Sequence, residues 1–221
     1  MKFKVLAFSL FFTSTLLAQN IKLTKENTES CQVRFSFEKS MGKGVVRVVK
    51  DSLVKGADEP TYVKIKGVEL KNGVIEFELL SRLLPGASDS ARGFIGIAFR
   101  IAQDNKQFES FYLRPANARV LNQVRRNHST QYFSYPDYKF DRLRREAPEK
   151  YESYADMELD KWIRVKVFIQ NAQAMLYLNG QPQPALVVND LKLGVDVAGG
   201  IGFWVENGTE GFFRHLSVSK L

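Results

Sequence analysis

Trp162-Ile163-Arg164-Val165-Lys166-Val167-Phe168-Ile169 decides the fold. Ile163, Val165, Val167 and Ile169 recur at every second position, and Trp162, Arg164, Lys166 and Phe168 occupy the positions between. Side chains of a strand alternate between its two faces, so this pattern predicts a strand with one face packed on a core. The next run, Ala174 to Leu178, ends at Asn179-Gly180, two residues that tolerate the positive φ of a tight primed turn. The chain then returns through Ala185 to Val188, which completes a hairpin, and Pro182 and Pro184 give the return strand an irregular or edge beginning.

Working outward, the same period predicts strands at Gly44 to Lys50, Tyr62 to Ile65, Gly73 to Leu80, Phe94 to Ile101 and Phe108 to Arg114. A last pair, Gly200 to Val205 and Phe212 to Val218, flanks the turn Glu206-Asn207-Gly208-Thr209. Only Arg142 to Ala147 suggests helical turns. Many short strands without alternating helices argue for an all-β, two-sheet antiparallel jelly-roll sandwich rather than a parallel α/β fold. Such sheets stack about 10 Å apart, which leaves the outer face of a concave sheet free for a ligand.

The chain has 221 residues, 44% hydrophobic and 12% aromatic, which excludes a disordered chain and suits one domain with a substantial core. Lys2 and Lys4 precede an apolar run from Val5 to Leu17 that is short for a bilayer, and Ala18 offers a small residue for cleavage. Residues 1–18 therefore read as a signal peptide and 19–221 as a single domain, secreted or periplasmic; an uncleaved N-terminal anchor is the alternative. No later run is long enough to cross a membrane. Cys31 is the only cysteine, so the fold has no intrachain disulfide, and it lies too far downstream for lipidation at the cleavage point. The net charge of +8 becomes about +6 once Lys2 and Lys4 are removed. For an exported protein this favours an acidic polysaccharide, or simple solubility, over nucleic acid. Arg142-Leu143-Arg144-Arg145 does not change that reading, because Glu146, Glu149 and Glu152 follow it.

The order Lys161-Trp162-Ile163-Arg164-Val165-Lys166-Val167, Leu176-Tyr177-Leu178-Asn179-Gly180, Gly199-Gly200-Ile201-Gly202-Phe203-Trp204 and Gly211-Phe212-Phe213-Arg214-His215-Leu216-Ser217-Val218 resembles concanavalin A-like jelly rolls. Within that superfamily it is similar to secreted 3-keto-disaccharide hydrolase-like domains, over residues 35 to 220. Gly73 to Glu78 and Gly96 to Arg100 match the same pattern. The resemblance implies a carbohydrate-linked role but carries no catalytic residues. The alternating E-x-D-x-E carboxylates of laminarinase-type members are missing, since Glu76 and Glu78 stand without the middle Asp.

Residues 111 to 154 do not read as scaffold. They hold six of the eight tyrosines, and seven arginines lie between 111 and 145 against two aspartates and no glutamate. A sugar ring packs its apolar face on an aromatic ring and offers hydroxyls to fixed donors and acceptors. Arginine adds a planar fork suited to carboxylate or sulfate. Tyr112, Arg114, Asn117, Arg126, Asn127, His128, Gln131, Tyr132 and Tyr135 are the candidate glycan-binding residues; packing of long loops is the competing explanation. If Phe111 and Leu113 face the core, Tyr112 and Arg114 face outward, and Glu109 points inward and needs a partner such as an arginine. His128, Asp137 and Glu152 are candidates for catalysis, with Asp141 and Asp156 as further carboxyls near the cluster. His215 reads as structural. Two histidines without a spaced carboxylate pattern give no zinc site; no other cofactor is expected, and no Asp/Asn-rich loop predicts the calcium that the resemblance would admit. Three functions stay open: a glycan-binding module, a glycoside- or keto-sugar-acting enzyme, and an envelope protein-interaction module.

Overall fold

The computed structural model describes residues 18–40 and 42–221; the signal-peptide expectation falls almost wholly outside them. The chain runs β1 (Gln19–Asn20), β2 (Thr28–Cys31), β3 (Val33–Ser40), β4 (Lys43–Lys50), β5 (Tyr62–Leu70), β6 (Gly73–Leu83), β7 (Ile95–Ile101) and β8 (Phe108–Leu113). A 3-10 turn (Pro115–Asn117) and α1 (Gln123–Asn127) lead to β9 (Thr130–Tyr135), α2 (Phe140–Glu146) and β10 (Glu152–Ser153). The remainder is β11 (Trp162–Gln170), β12 (Gln173–Leu178), β13 (Leu186–Val188), β14 (Gly199–Val205) and β15 (Thr209–Lys220). The first sheet has the order β13-β12-β11-β6-β15-β4-β3, with β1 beside the end of β15; the second has the order β10-β9-β8-β7-β14-β5-β2. Every pairing is antiparallel. The protein is the two-sheet all-β sandwich that the alternation predicts.

In β11 the predicted face is inside: Ile163, Val165, Val167 and Ile169 are buried, while Arg164 is exposed and Trp162, Lys166 and Phe168 are half-buried. Between the sheets, Phe203 of β14 stacks on Phe213 of β15 at 4.4 Å, and Phe77 of β6 leans on both. Asn179 and Gly180 take φ of 53° and 74°, as a primed turn requires. Glu109 points into this interior and finds Arg100, 3.2 Å away, with both side chains fully buried. The Arg100 guanidinium also donates to the carbonyls of Lys71, Asn171 and Gly194, and the Glu109 carboxylate accepts from the Tyr132 hydroxyl at 2.6 Å. A buried charge pair needs such additional hydrogen bonds to offset its desolvation.

The outer faces of the two sheets differ. That of the first sheet carries Glu76, Arg164 and Lys166 toward solvent. That of the second carries Tyr62, Phe108, Tyr112, Phe133 and Trp204, all buried. Tyr112 packs on Trp204 at 4.9 Å and edge-on to Phe133 at 5.8 Å. An aromatic face cannot be left in water, so loops and α2 form a third layer over it; Leu143 of α2 is buried, and Trp204 Nε1 donates to the Glu59 carbonyl. Gly96 lets β7 lie close beneath: a Cβ there would sit 2.0 Å from the Phe111 carbonyl and 2.7 Å from Tyr112 Cα.

Candidate functional site

The ends of β8 and β14, the start of β7, and α1, α2 and two loops enclose a cavity of about 380 Å³. Its apolar surface comes from Phe94, Tyr112 and Phe140. Its polar surface comes from Arg92, Arg114, Asn117, Arg125, His128 and Arg144, with Asp58 and Glu206 as the carboxyls. The turn after β14 is tied to the loop before β7 by the Glu206 N–H, which donates to the Phe94 carbonyl at 3.1 Å.

Arg114 is the structural centre. Its guanidinium donates to the Tyr112 hydroxyl at 2.7 Å, Gln131 Oε1 at 3.0 Å, the His128 carbonyl at 3.0 Å and Glu152 Oε1 at 3.2 Å. Arg144 clamps the same Glu152 with both ends of its fork. Burial by itself would raise the Glu152 carboxyl, but the Arg144 hydrogen bonds and the charges of Arg114 and Arg144 outweigh it and hold it below the usual carboxylate range. His128 lies 3.7 Å from Glu152. Burial lowers its imidazole, helped by the Arg144 and Arg114 charges against the pull of Glu152, so it is neutral at neutral pH.

The two carboxyls of the cavity differ. Glu206 is ion-paired to buried Lys50 and accepts the N–H groups of Asn207 at 2.7 Å and Asp58 at 3.0 Å, which occupies both of its oxygens. Asp58 has φ of 54° and accepts the Phe140 N–H at 2.7 Å. Burial raises its carboxyl to about 7, with the nearby Glu206 charge adding to the rise and the Phe140 N–H and Arg114 opposing it.

Of the residues singled out from sequence, Tyr112, Arg114, Asn117 and His128 line the cavity. Gln131 and Glu152 stand behind it, holding Arg114. Asn127 lies on α1, where it accepts from Gln123 at 2.8 Å. Arg126 lies over the Tyr154 ring at 5.0 Å. Tyr132 faces the other way, between the sheets, with its hydroxyl on Glu109. Tyr135 stacks on Phe108 at 5.2 Å, and Asp137 is exposed on the turn before α2. Asp141 is exposed, and Asp156 pairs with Arg119 at 2.7 Å. Asp58, Arg92 and Glu206 lie outside the stretch singled out from sequence, and Arg125 lies inside it without being named as a candidate. Glu206 was absorbed into a turn, and Asp58 lies in a loop 54 residues before Tyr112 with no local pattern to mark it. The sheet face itself is roofed, and the polar groups gather at its end.

A groove on the outer face of the first sheet is lined by Glu76, Glu78, Arg164, Lys166, Tyr177 and His215. There Glu78 is bound by Arg214 at 2.7 Å and His215 at 3.4 Å, and Lys166 lies over Tyr177 at 4.4 Å. Its polar groups are those of a solvated sheet face, whereas the cavity under the third layer holds buried ones. No group of His, Cys, Asp and Glu among the described residues could hold a metal ion.

Neither a protein-family model nor a curated protein matches the chain. Solved structures do match. The carbohydrate binding module CBM66 from Bacillus subtilis shares 11% identity at a TM-score of 0.54, over 86% of this chain and 96% of that one. A Bacillus subtilis protein of unknown function with a galectin-like fold shares 11% identity at a TM-score of 0.55, over 88% and 89%. At these identities the likeness is one of fold: this chain shares the two-sheet antiparallel β-sandwich of those two proteins.

Proposed function

We propose that this protein recognises a carbohydrate and holds it in the cavity at the end of the second sheet, acting outside the cytoplasm after cleavage near Ala18. The observation that carries the reading is the convergence, in one cavity of about 380 Å³, of three aromatic rings with guanidinium, amide and imidazole groups. Rings suit the apolar face of a pyranose or furanose, and planar donors suit its hydroxyls. The fold it shares with a carbohydrate binding module supports the same reading. Calorimetric titration of the mature chain against a panel of oligosaccharides tests it. Binding of at least one glycan, weakened about tenfold or more by Phe94→Ala or Phe140→Ala, is expected; a panel of neutral and acidic glycans that all fail to bind refutes it.

A bond-cleaving role is the second reading, favoured by Asp58, which keeps its proton near neutrality beside a second carboxyl. Glycoside hydrolysis needs a second carboxylate free to attack or to activate water, and both oxygens of Glu206 are already engaged. Recognition without cleavage is therefore preferred. Release of reducing ends from a bound glycan, abolished by Asp58→Asn, would reverse that preference.

A further inference from the structure

Charge is unevenly distributed around the cavity. Four guanidiniums line it. Glu152, behind the wall, is shared by Arg114 and Arg144. Glu206 is neutralised by Lys50, which lies outside the lining. Among the described residues Arg92 and Arg125 have no carboxylate partner. Arg92 donates to the carbonyls of Asp89 and Ala91. Arg125 reaches only the Asn117 side-chain oxygen, at 3.3 Å, and its Nε is buried with no acceptor. We propose that the cavity takes a sugar bearing a carboxylate or sulfate group, and that Arg92 and Arg125 bind that anion; this rests on the carbohydrate reading above.

Arg125 Nε is buried without an acceptor, which costs free energy, and the half-buried guanidiniums of Arg92 and Arg125 repel each other. Burial, and then the charge of Arg125, lower the affinity of Arg92 for its own proton. A neutral ligand leaves that repulsion in place. An anion removes it and supplies acceptors for the idle N–H groups, with the planar fork matched to two oxygens. Asp58, the lining carboxyl with no basic side chain bonded to it among the described residues, holds a proton near neutrality and offers an incoming anion little repulsion below pH 7. The chain's positive net charge adds long-range attraction for a polyanion.

The test is calorimetry on the mature chain with three probes of matched length: an oligogalacturonate, the same oligosaccharide with its carboxyls reduced to alcohols, and a sulfated chondroitin oligosaccharide. The inference requires at least one acidic probe to bind tenfold or more tightly than the reduced one. Raising NaCl from 50 to 500 mM should weaken only the acidic binding. Arg125→Gln and Arg92→Gln should abolish the preference, lowering the affinity of the acidic probe about tenfold more than that of the reduced one, and Arg125→Lys should keep part of it. The two acidic probes separate carboxylate from sulfate. Equal binding of reduced and acidic probes, unchanged by Arg125→Gln in a variant with wild-type thermal stability, overturns the anion inference and leaves carbohydrate recognition standing. Failure of all three probes overturns both. Binding of free sulfate and acetate as tight as that of the oligosaccharides marks a simple anion site and also overturns the sugar reading.

Discussion

Asp58→Asn separates charge from shape at the cavity. Asp58 is buried, and its carboxyl is raised from 3.8 to about 7. Between those values the folded protein keeps a proton that the unfolded chain has released. The folded state binds more protons across that window, so stability falls as pH rises from about 4 to about 7 and stays reduced above it. Roughly three pH units at about 1.4 kcal/mol each give about 4 kcal/mol as the full cost of ionising Asp58 in place. Asparagine cannot ionise. Its side-chain oxygen can still accept the Phe140 N–H, and asparagine tolerates the positive φ found at this position. The variant should therefore be close to wild type at pH 4 and more stable than wild type by about 4 kcal/mol at pH 8. Urea unfolding of both proteins from pH 4 to 9 measures this difference directly, because groups that titrate alike in the two proteins cancel. A stability difference that does not change between pH 4 and 8 would refute the reasoning, and so would a variant that loses stability relative to wild type as pH rises.

Other perturbations test the frame around the site. Arg100→Leu leaves the Glu109 carboxylate unpaired between the sheets and should cost about 3–5 kcal/mol in urea unfolding; Glu109→Gln, which removes the orphaned charge, should restore part of that loss in the double variant. Gly96→Ala forces a methyl group against the β8 backbone, 2.0 Å from the Phe111 carbonyl, and should prevent folding or lower the midpoint by well over 10 °C in a thermal scan. Glu152→Gln removes the charge shared by Arg114 and Arg144. Because Glu152 sits below its ordinary range, its contribution is present above pH 4.5 and is lost as pH falls through its folded value. The variant should thus be destabilised at pH 7, and its deficit should shrink only as pH falls through the depressed folded value of Glu152, as followed by circular dichroism.

Period-two alternation specifies a strand locally, which is why β6, β11 and β12 and the inward direction of Glu109 were legible without coordinates. Each of those strands has one wet and one dry face, and the residue pattern records the difference. Thr130–Tyr135 was missed as a strand because polar Thr130, Gln131 and Ser134 fall on both of its faces, so no apolar face marks it although the strand is buried on both sides. The tyrosines show the same limit: Tyr112 pairs with Gln131 and Tyr132 with Phe111, one position apart and so on opposite faces of the sheet, and only sheet pairing decides that Tyr132 serves Glu109 and Tyr112 the cavity. Composition located the segment rich in arginine and tyrosine, since local residue choice is all that such a signal needs. It could not bring in Asp58, Arg92 or Glu206, which come from three other parts of the chain and meet Arg114 only after the second sheet is built and roofed. Strand pattern is local physics, written at spacing two. A buried site is a matter of which distant loops the closed sandwich sets side by side, and that depends on the whole chain reaching its packed state.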